Sequence, residues 1–184
     1  MKKIKILFIP SDLAGVGHFR CIWPAQQINK DFQGDFEVEV NIHPNYDDFD
    51  YFTKFDIIHF HRELGNHEKM PNFFKRLKEV GVTLIVDIDD YWVCIKELQH
   101  YTNYVTNGLN KKTLYALQNA DYVATTTEYF RKELLKQNKN VIVIKNVINE
   151  NENQVKTTKT KDKRLRVGIL CSSAHYEDIK LLRG

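Results

Sequence analysis

The chain has 184 residues, 42% of them hydrophobic and 12% aromatic, with 27 Lys and Arg against 24 Asp and Glu. That balance excludes a disordered chain and supplies one full core with room for part of another. The formal charge of +3 is too small to argue for nucleic acid, and much of it lies in a lysine- and arginine-rich run at residues 156–166 that reads as a solvated linker.

The N-terminus, MKKIKILFIPSD, begins basic and apolar, but its apolar run meets Pro10, Ser11 and Asp12 at once, too short for a secretion signal. No apolar stretch reaches the roughly 18 residues a membrane span needs. Three cysteines, Cys21, Cys94 and Cys171, show no metal-ligand spacing and read as free thiols. The expectation is a cytoplasmic protein without a transmembrane segment.

In chain order, IKILFIP opens a first strand, and the loop SDLAGVGHFR follows, with Gly15, Gly17, His18 and Arg20. Arg20 stands where a dinucleotide fingerprint has its third glycine, so the match to G-x-G-x-x-G is weak. A first helix includes residues 24–30. FEVEVNI alternates apolar and polar, as a strand with one wet face or near an edge does. DIIHFH follows, ending at His61 and Arg62; within it His59 reads as a packed core histidine. MPNFFKRLKEVG places Phe73, Phe74, Leu77 and Val80 on one helical face, and Gly81 supplies a stop. TLIVDID is a buried strand that delivers Asp87, Asp89 and Asp90. NKKTLYALQNA and TEYFRKELLKQN are helical, the second capped by Thr127, and each precedes or follows a strand in DYVATTT and VIVIKNV.

Strand and helix alternating in this way predict an α/β fold: a Rossmann-like parallel sheet of six strands with helices on both faces. The predicted domain spans residues 1–149, a polar linker 150–164, and residues 165–184 the first strand and helix start of an incomplete second domain. That second unit is expected to be mobile, to self-associate or to borrow an edge from another chain, because its one strand lacks sheet partners.

Ligands of such sheets bind beyond the carboxyl ends of the strands. Gly15, Gly17, His18 and Arg20 follow the first strand, His61 the third and Asp87 the fourth. Asp87 and Asp89 point to the same side of their strand, so one is raised in pKa unless a cation compensates, and His18, Arg20, His61 and Arg62 are the available cations. Alternative readings are that Asp89 and Asp90 cap the following turn, or that D-x-D holds a metal; Tyr91 and Trp92 line a groove or belong to the core.

The order DLAGVGHFR, WPAQQI, IVDIDDYW and ADYVATTTEYFRKELLKQNKNVIVIKNVIN resembles the N-terminal half of a GT-B glycosyltransferase, family 4-like, with bacterial and phage members. LRVGILCSSAHYEDIKLL resembles the start of that family's nucleotide-sugar domain. The resemblance implies metal-independent transfer of a sugar from a nucleotide-sugar donor, a co-substrate rather than a cofactor, to a carbohydrate or other acceptor. It implies catalytic roles for Asp87 and His61, and donor binding by Gly15, Gly17, His18, Arg20 and His175, with Asp178 beside the last. The family's C-terminal glutamate pair is absent. A non-catalytic carbohydrate- or partner-binding module of the same descent and a sugar-nucleotide epimerase are the alternatives. Substitutions of Arg20 and Asp87, at strand ends outside the core, are expected to leave folding intact.

Overall fold

A computed structural model describes residues 2–65, 69–93, 96, 101–146 and 179. The proposed linker, the second-domain segment, His175 and Asp178 lie outside the described residues.

Six strands form one all-parallel sheet: β1 (Ile4–Ile9), β2 (Phe36–Val40), β3 (Ile57–His61), β4 (Thr83–Ile88), β5 (Tyr122–Thr125) and β6 (Val141–Val143). The spatial order is β2-β1-β3-β4-β5-β6. The Rossmann-like α/β expectation therefore holds, and the alternating β2 is an edge strand.

Helices cover both faces, and the period-two alternation of β1 shows why. Ile6 and Phe8 pack with Cys21 and Ala25 on one side, while Leu7 and Ile9 join the larger core on the other. On the first side, residues 15–31 form a nearly continuous helical run. It comprises α1 (Gly15–Gly17), a π-helical segment (His18–Ile22) and α2 (Trp23–Asp31). After β2 comes the short α3 (Phe49–Phe52). The larger core takes Phe52, α4 (Met70–Glu79), α6 (Leu109–Asn119) and α7 (Glu128–Leu134), and α5 (Tyr101–Thr106) precedes α6.

Phe73, Phe74 and Leu77 of α4 are buried as expected, but Val80 is 55% exposed. It lies one position past the helix, where the chain turns toward Gly81 at φ 83°. A left-handed residue ends the helical period, so Val80 no longer shares the buried face. Thr127 caps α7 by accepting a hydrogen bond from the Phe130 amide at 3.1 Å.

Strand order locates the site. The chain passes from β1 out to β2, then returns to the other side of β1 to place β3, so the order reverses between β1 and β3. In sheets of this kind ligands bind at that point, here where β1 runs into Ser11 and β3 into Arg62.

Candidate functional site

Ser11 follows β1 and Pro10 directly, and its side chain is exposed. Its Oγ lies 2.6 Å from His61 Nδ1. His61 ends β3 and is only 1% exposed. Its Nε2 lies 2.9 Å from Asp89 Oδ1. In the sheet His61 sits opposite Asp87, so Asp89, two residues further along, projects past the strand end to meet the imidazole. A line of hydrogen-bonding groups thus runs from solvent at Ser11, through a buried imidazole, to a carboxylate.

Arg62 holds the far end of this line. Its Nη2 lies 3.3 Å from Asp89 Oδ1 and 2.7 Å from Asp90 Oδ2. Arg62 has φ 65°, the one non-glycine in the left-handed region among the described residues. Such a backbone costs about 1–3 kcal/mol and persists where surrounding contacts impose it. Here its amide also donates to the Asp87 carbonyl at 2.9 Å. Burial raises the pKa of Asp89, but the hydrogen bond and charge of His61, followed by those of Arg62, outweigh it and bring the carboxyl down to about 2. Asp89 is ionised and accepts hydrogen bonds only.

Asp12 lies on the other side of the serine. Its Oδ2 is 3.1 Å from Ser11 Oγ, and its Oδ1 accepts from the amides of Ala14 at 2.8 Å and Gly17 at 3.2 Å. Partial burial raises its pKa, but these two amides, then Ser11 and His61, lower it below the ordinary value. The glycine loop therefore grips a carboxylate of its own chain. Gly17 is needed for close approach: a Cβ there would fall 1.9 Å from the Asp12 carbonyl oxygen. Gly15 has no such constraint, since a Cβ would meet only the Phe19 ring at 3.8 Å.

Arg20 and Asp87 form a second, closed cluster. Arg20 Nε and Nη2 donate to the two oxygens of Asp87 at 2.8 Å each, and both side chains are 1% exposed. Arg20 Nη1 reaches the Ile144 carbonyl at 2.5 Å and Asn146 Oδ1 at 3.0 Å, tying the π-helical segment to the chain beyond β6. His59 Nε2 lies 3.2 Å from Asp87 Oδ2, close enough for attraction but too oblique for a well-formed hydrogen bond, and its ring packs on Phe8 at 4.7 Å. Burial raises the pKa of Asp87, while His59 and Arg20 lower it further than burial raises it. The two carboxylates of D-x-D thus take separate partners: Arg20 for Asp87, His61 and Arg62 for Asp89.

Of the residues marked in the sequence, Arg20, His61 and Asp87 do gather at the carboxyl end. Only His61 connects to solvent, and it does so through Ser11. The burial of Arg20 and Asp87 also corrects the expectation that they stand outside the core. His18 is turned along its own helix, with Nδ1 2.9 Å from the Ala14 carbonyl and its ring edge toward Trp23 at 5.7 Å. Ser11, Asp12 and Asp89 were not marked as site residues. The signal for Ser11 was its position immediately after a buried strand, but nothing local pairs it with a histidine 50 residues away.

Tyr91, 55% exposed, stacks on the buried Trp92 at 4.6 Å, one residue beyond Asp90. Cys21 is buried, which pushes its thiol pKa far up and leaves it no thiolate for chemistry. Among the described residues no group of three His, Cys, Asp or Glu side chains is placed to hold a metal ion. No helix among them is long and apolar enough to cross a membrane.

No family model matches this chain, and no curated protein does. Two solved structures are similar to it. One is the lactose-specific IIB component domain of the phosphoenolpyruvate:carbohydrate phosphotransferase system from Streptococcus pneumoniae. It has 11% identity and a TM-score of 0.34 over 64% of this chain and 93% of that one. The other is a conserved protein from Enterococcus faecalis V583, with 12% identity and a TM-score of 0.38 over 78% of this chain and 92% of that one. Neither is described as a glycosyltransferase, and no family model matches this chain, so the GT-B resemblance is corrected. With it fall the nucleotide-sugar transferase function, its module and epimerase variants, and the truncated phage or bacterial transferase they implied. The stretches that carried the resemblance are a strand ending in acidic residues and a βαβ unit. A doubly wound parallel sheet produces both wherever buried strands end at a polar edge.

Proposed function

We propose that the protein binds a hydroxyl-bearing small molecule in the crevice at the carboxyl ends of β1 and β3, and exchanges a proton with it through Ser11 and His61. The observation that carries this reading is the line from the exposed Ser11 hydroxyl through buried His61 to ionised Asp89. An ionised Asp89 accepts from Nε2–H and so leaves Nδ1 as the acceptor facing Ser11. A histidine so oriented is a general base with one exit, and that exit opens where doubly wound sheets bind ligands.

The surroundings suit a sugar or polyol. Asp12, Asp89 and Asp90 offer acceptors, Arg62 offers donors, and the exposed ring of Tyr91 offers an apolar face close to the carboxylates in sequence. A strongly anionic ligand would meet three carboxylates.

The test is an amide and imidazole NMR titration of the full chain with monosaccharides, polyols and nucleosides. Saturable shifts are expected at Ser11, His61, Asp89 and Tyr91, and should vanish for Ser11→Ala and Asp89→Asn. A panel that leaves these four positions unmoved, or moves a different surface, retires the reading.

A further inference from the structure

The Ser11–His61–Asp89 line supports a chemical step beyond reversible binding, and this step rests on the crevice being a functional site. We propose that Ser11 is a nucleophile that forms a covalent acyl intermediate with neutral carboxylic esters, with His61 as its base and Asp89 as the residue that orients His61.

Three features carry it. Ser11 Oγ and His61 Nδ1 are 2.6 Å apart, within reach for proton transfer without rearrangement. His61 is oriented in turn by a third group, Asp89, at 2.9 Å from the opposite ring nitrogen. Nucleophile, base and orienting carboxylate therefore stand in the sequence of roles of a serine triad, with the two ring nitrogens exchanged. Finally, the members divide by access: the hydroxyl is exposed, the imidazole is 1% exposed, and an incoming molecule meets Ser11 first. Cys21, the described thiol nearest in sequence, is buried and does not compete.

The step balances without a co-reactant beyond water. Ser11 Oγ bonds to the ester carbonyl carbon while its proton passes to His61 Nδ1. The C–O bond to the alcohol breaks, and the alcohol leaves with that proton. Water then attacks the acyl carbon and gives a proton to Nδ1. The carboxylic acid departs and the serine oxygen recovers the proton.

The charge around the serine selects the substrate class. Asp12 lies 3.1 Å from Ser11 Oγ, and Asp89 and Asp90 stand behind His61 and Arg62. At this separation like charges repel strongly enough to disfavour phosphate monoesters and carboxylate-bearing esters relative to neutral ones.

The experiment uses the full chain and a neutral fluorophosphonate probe, with the labelled residue located by mass spectrometry. p-Nitrophenyl acetate and p-nitrophenyl phosphate are assayed in parallel. The expected result is stoichiometric labelling at Ser11, lost in Ser11→Ala, at least tenfold slower in Asp89→Asn, with a burst of nitrophenol from the acetate alone. Ser11 is exposed, so Ser11→Ala keeps the fold, and its amide spectrum verifies this. Absence of label on folded protein, label on another residue, or a labelling rate indifferent to Asp89→Asn overturns the nucleophile. Preference for the phosphate overturns the ester class. If labelling fails while the ligand titration still moves Ser11 and His61, the covalent step alone is wrong. If both fail, the site reading falls with it.

Discussion

Arg20 occupies the position where a dinucleotide loop would need a glycine, and its side chain turns inward instead of toward a ligand. Both Asp87 oxygens and two groups of the chain beyond β6 take its donors. Removing it leaves a buried carboxylate without its bidentate partner, which costs about 3–5 kcal/mol. Arg20→Ala should therefore lower the urea midpoint sharply, and Arg20→Lys should recover only part of the loss, since an ammonium does not reproduce the planar fork. An unchanged midpoint for Arg20→Ala would show that the pair is dispensable. Two glycines two positions apart, Gly15 and Gly17, make a second contrast. Gly17→Ala forces a methyl to within 1.9 Å of the Asp12 carbonyl oxygen and should destabilise by about 1–3 kcal/mol. Gly15→Ala meets only open contact and should be neutral or stabilising, because alanine favours helix over glycine. Thermal unfolding of the two variants side by side gives the ordering, and equal losses would contradict the close approach.

At the level of elements, ends matter more than middles. The turn between α7 and β6 is held by Asn138, whose Nδ2 donates to the carbonyls of Leu117 and Ala120 at 2.9 Å each. Leu117 lies in the last turn of α6 and Ala120 is the residue that caps its end, where carbonyls have no partner within the helix. One side chain thus stitches α6 to the α7–β6 turn. Asn138→Ala should cost about 1–3 kcal/mol by leaving them unpaired. It should also speed amide exchange in β6, a three-residue edge strand, before it affects β1. Equal acceleration in β1 would mean that the sheet opens as one unit. Asp121 plays a similar part at the start of β5, accepting from the Leu84 amide at 2.8 Å.

For the whole molecule, acid is the informative stress. Asp12, Asp87 and Asp89 each have a folded pKa below the ordinary 3.8, because hydrogen bonds and neighbouring cations outweigh the burial that would raise them. A carboxyl depressed in the folded state binds fewer protons there than in the unfolded chain. Its contribution is complete above the unfolded value and is lost as pH falls through the folded one. Stability should hold steady above about pH 5 and fall from about pH 4 downward, with Asp89 contributing its share of the loss down to about pH 2. Denaturant midpoints across that range check the sign, and a midpoint that rises on acidification would contradict it. Asp89→Asn should shallow the lower part of the slope.

Periodicity and punctuation decide the local structure from sequence alone. Apolar runs in IKILFI and TLIVDI mark buried strands, the alternation of FEVEV marks an edge, and Gly81 and Thr127 mark helix ends, because each signal acts over two to four residues. His61 and Asp87 were visible as strand-end residues for the same reason. Strand order is different in kind. Six similar apolar runs could pair in many arrangements, and burial of the whole core decides among them. Only that choice sets β3 beside β1, brings Ser11 to His61, and encloses Arg20 with Asp87 instead of exposing them. The relay joins residues 11, 61 and 89, so its chemistry exists only once the tertiary structure has closed the distances that the chain leaves open.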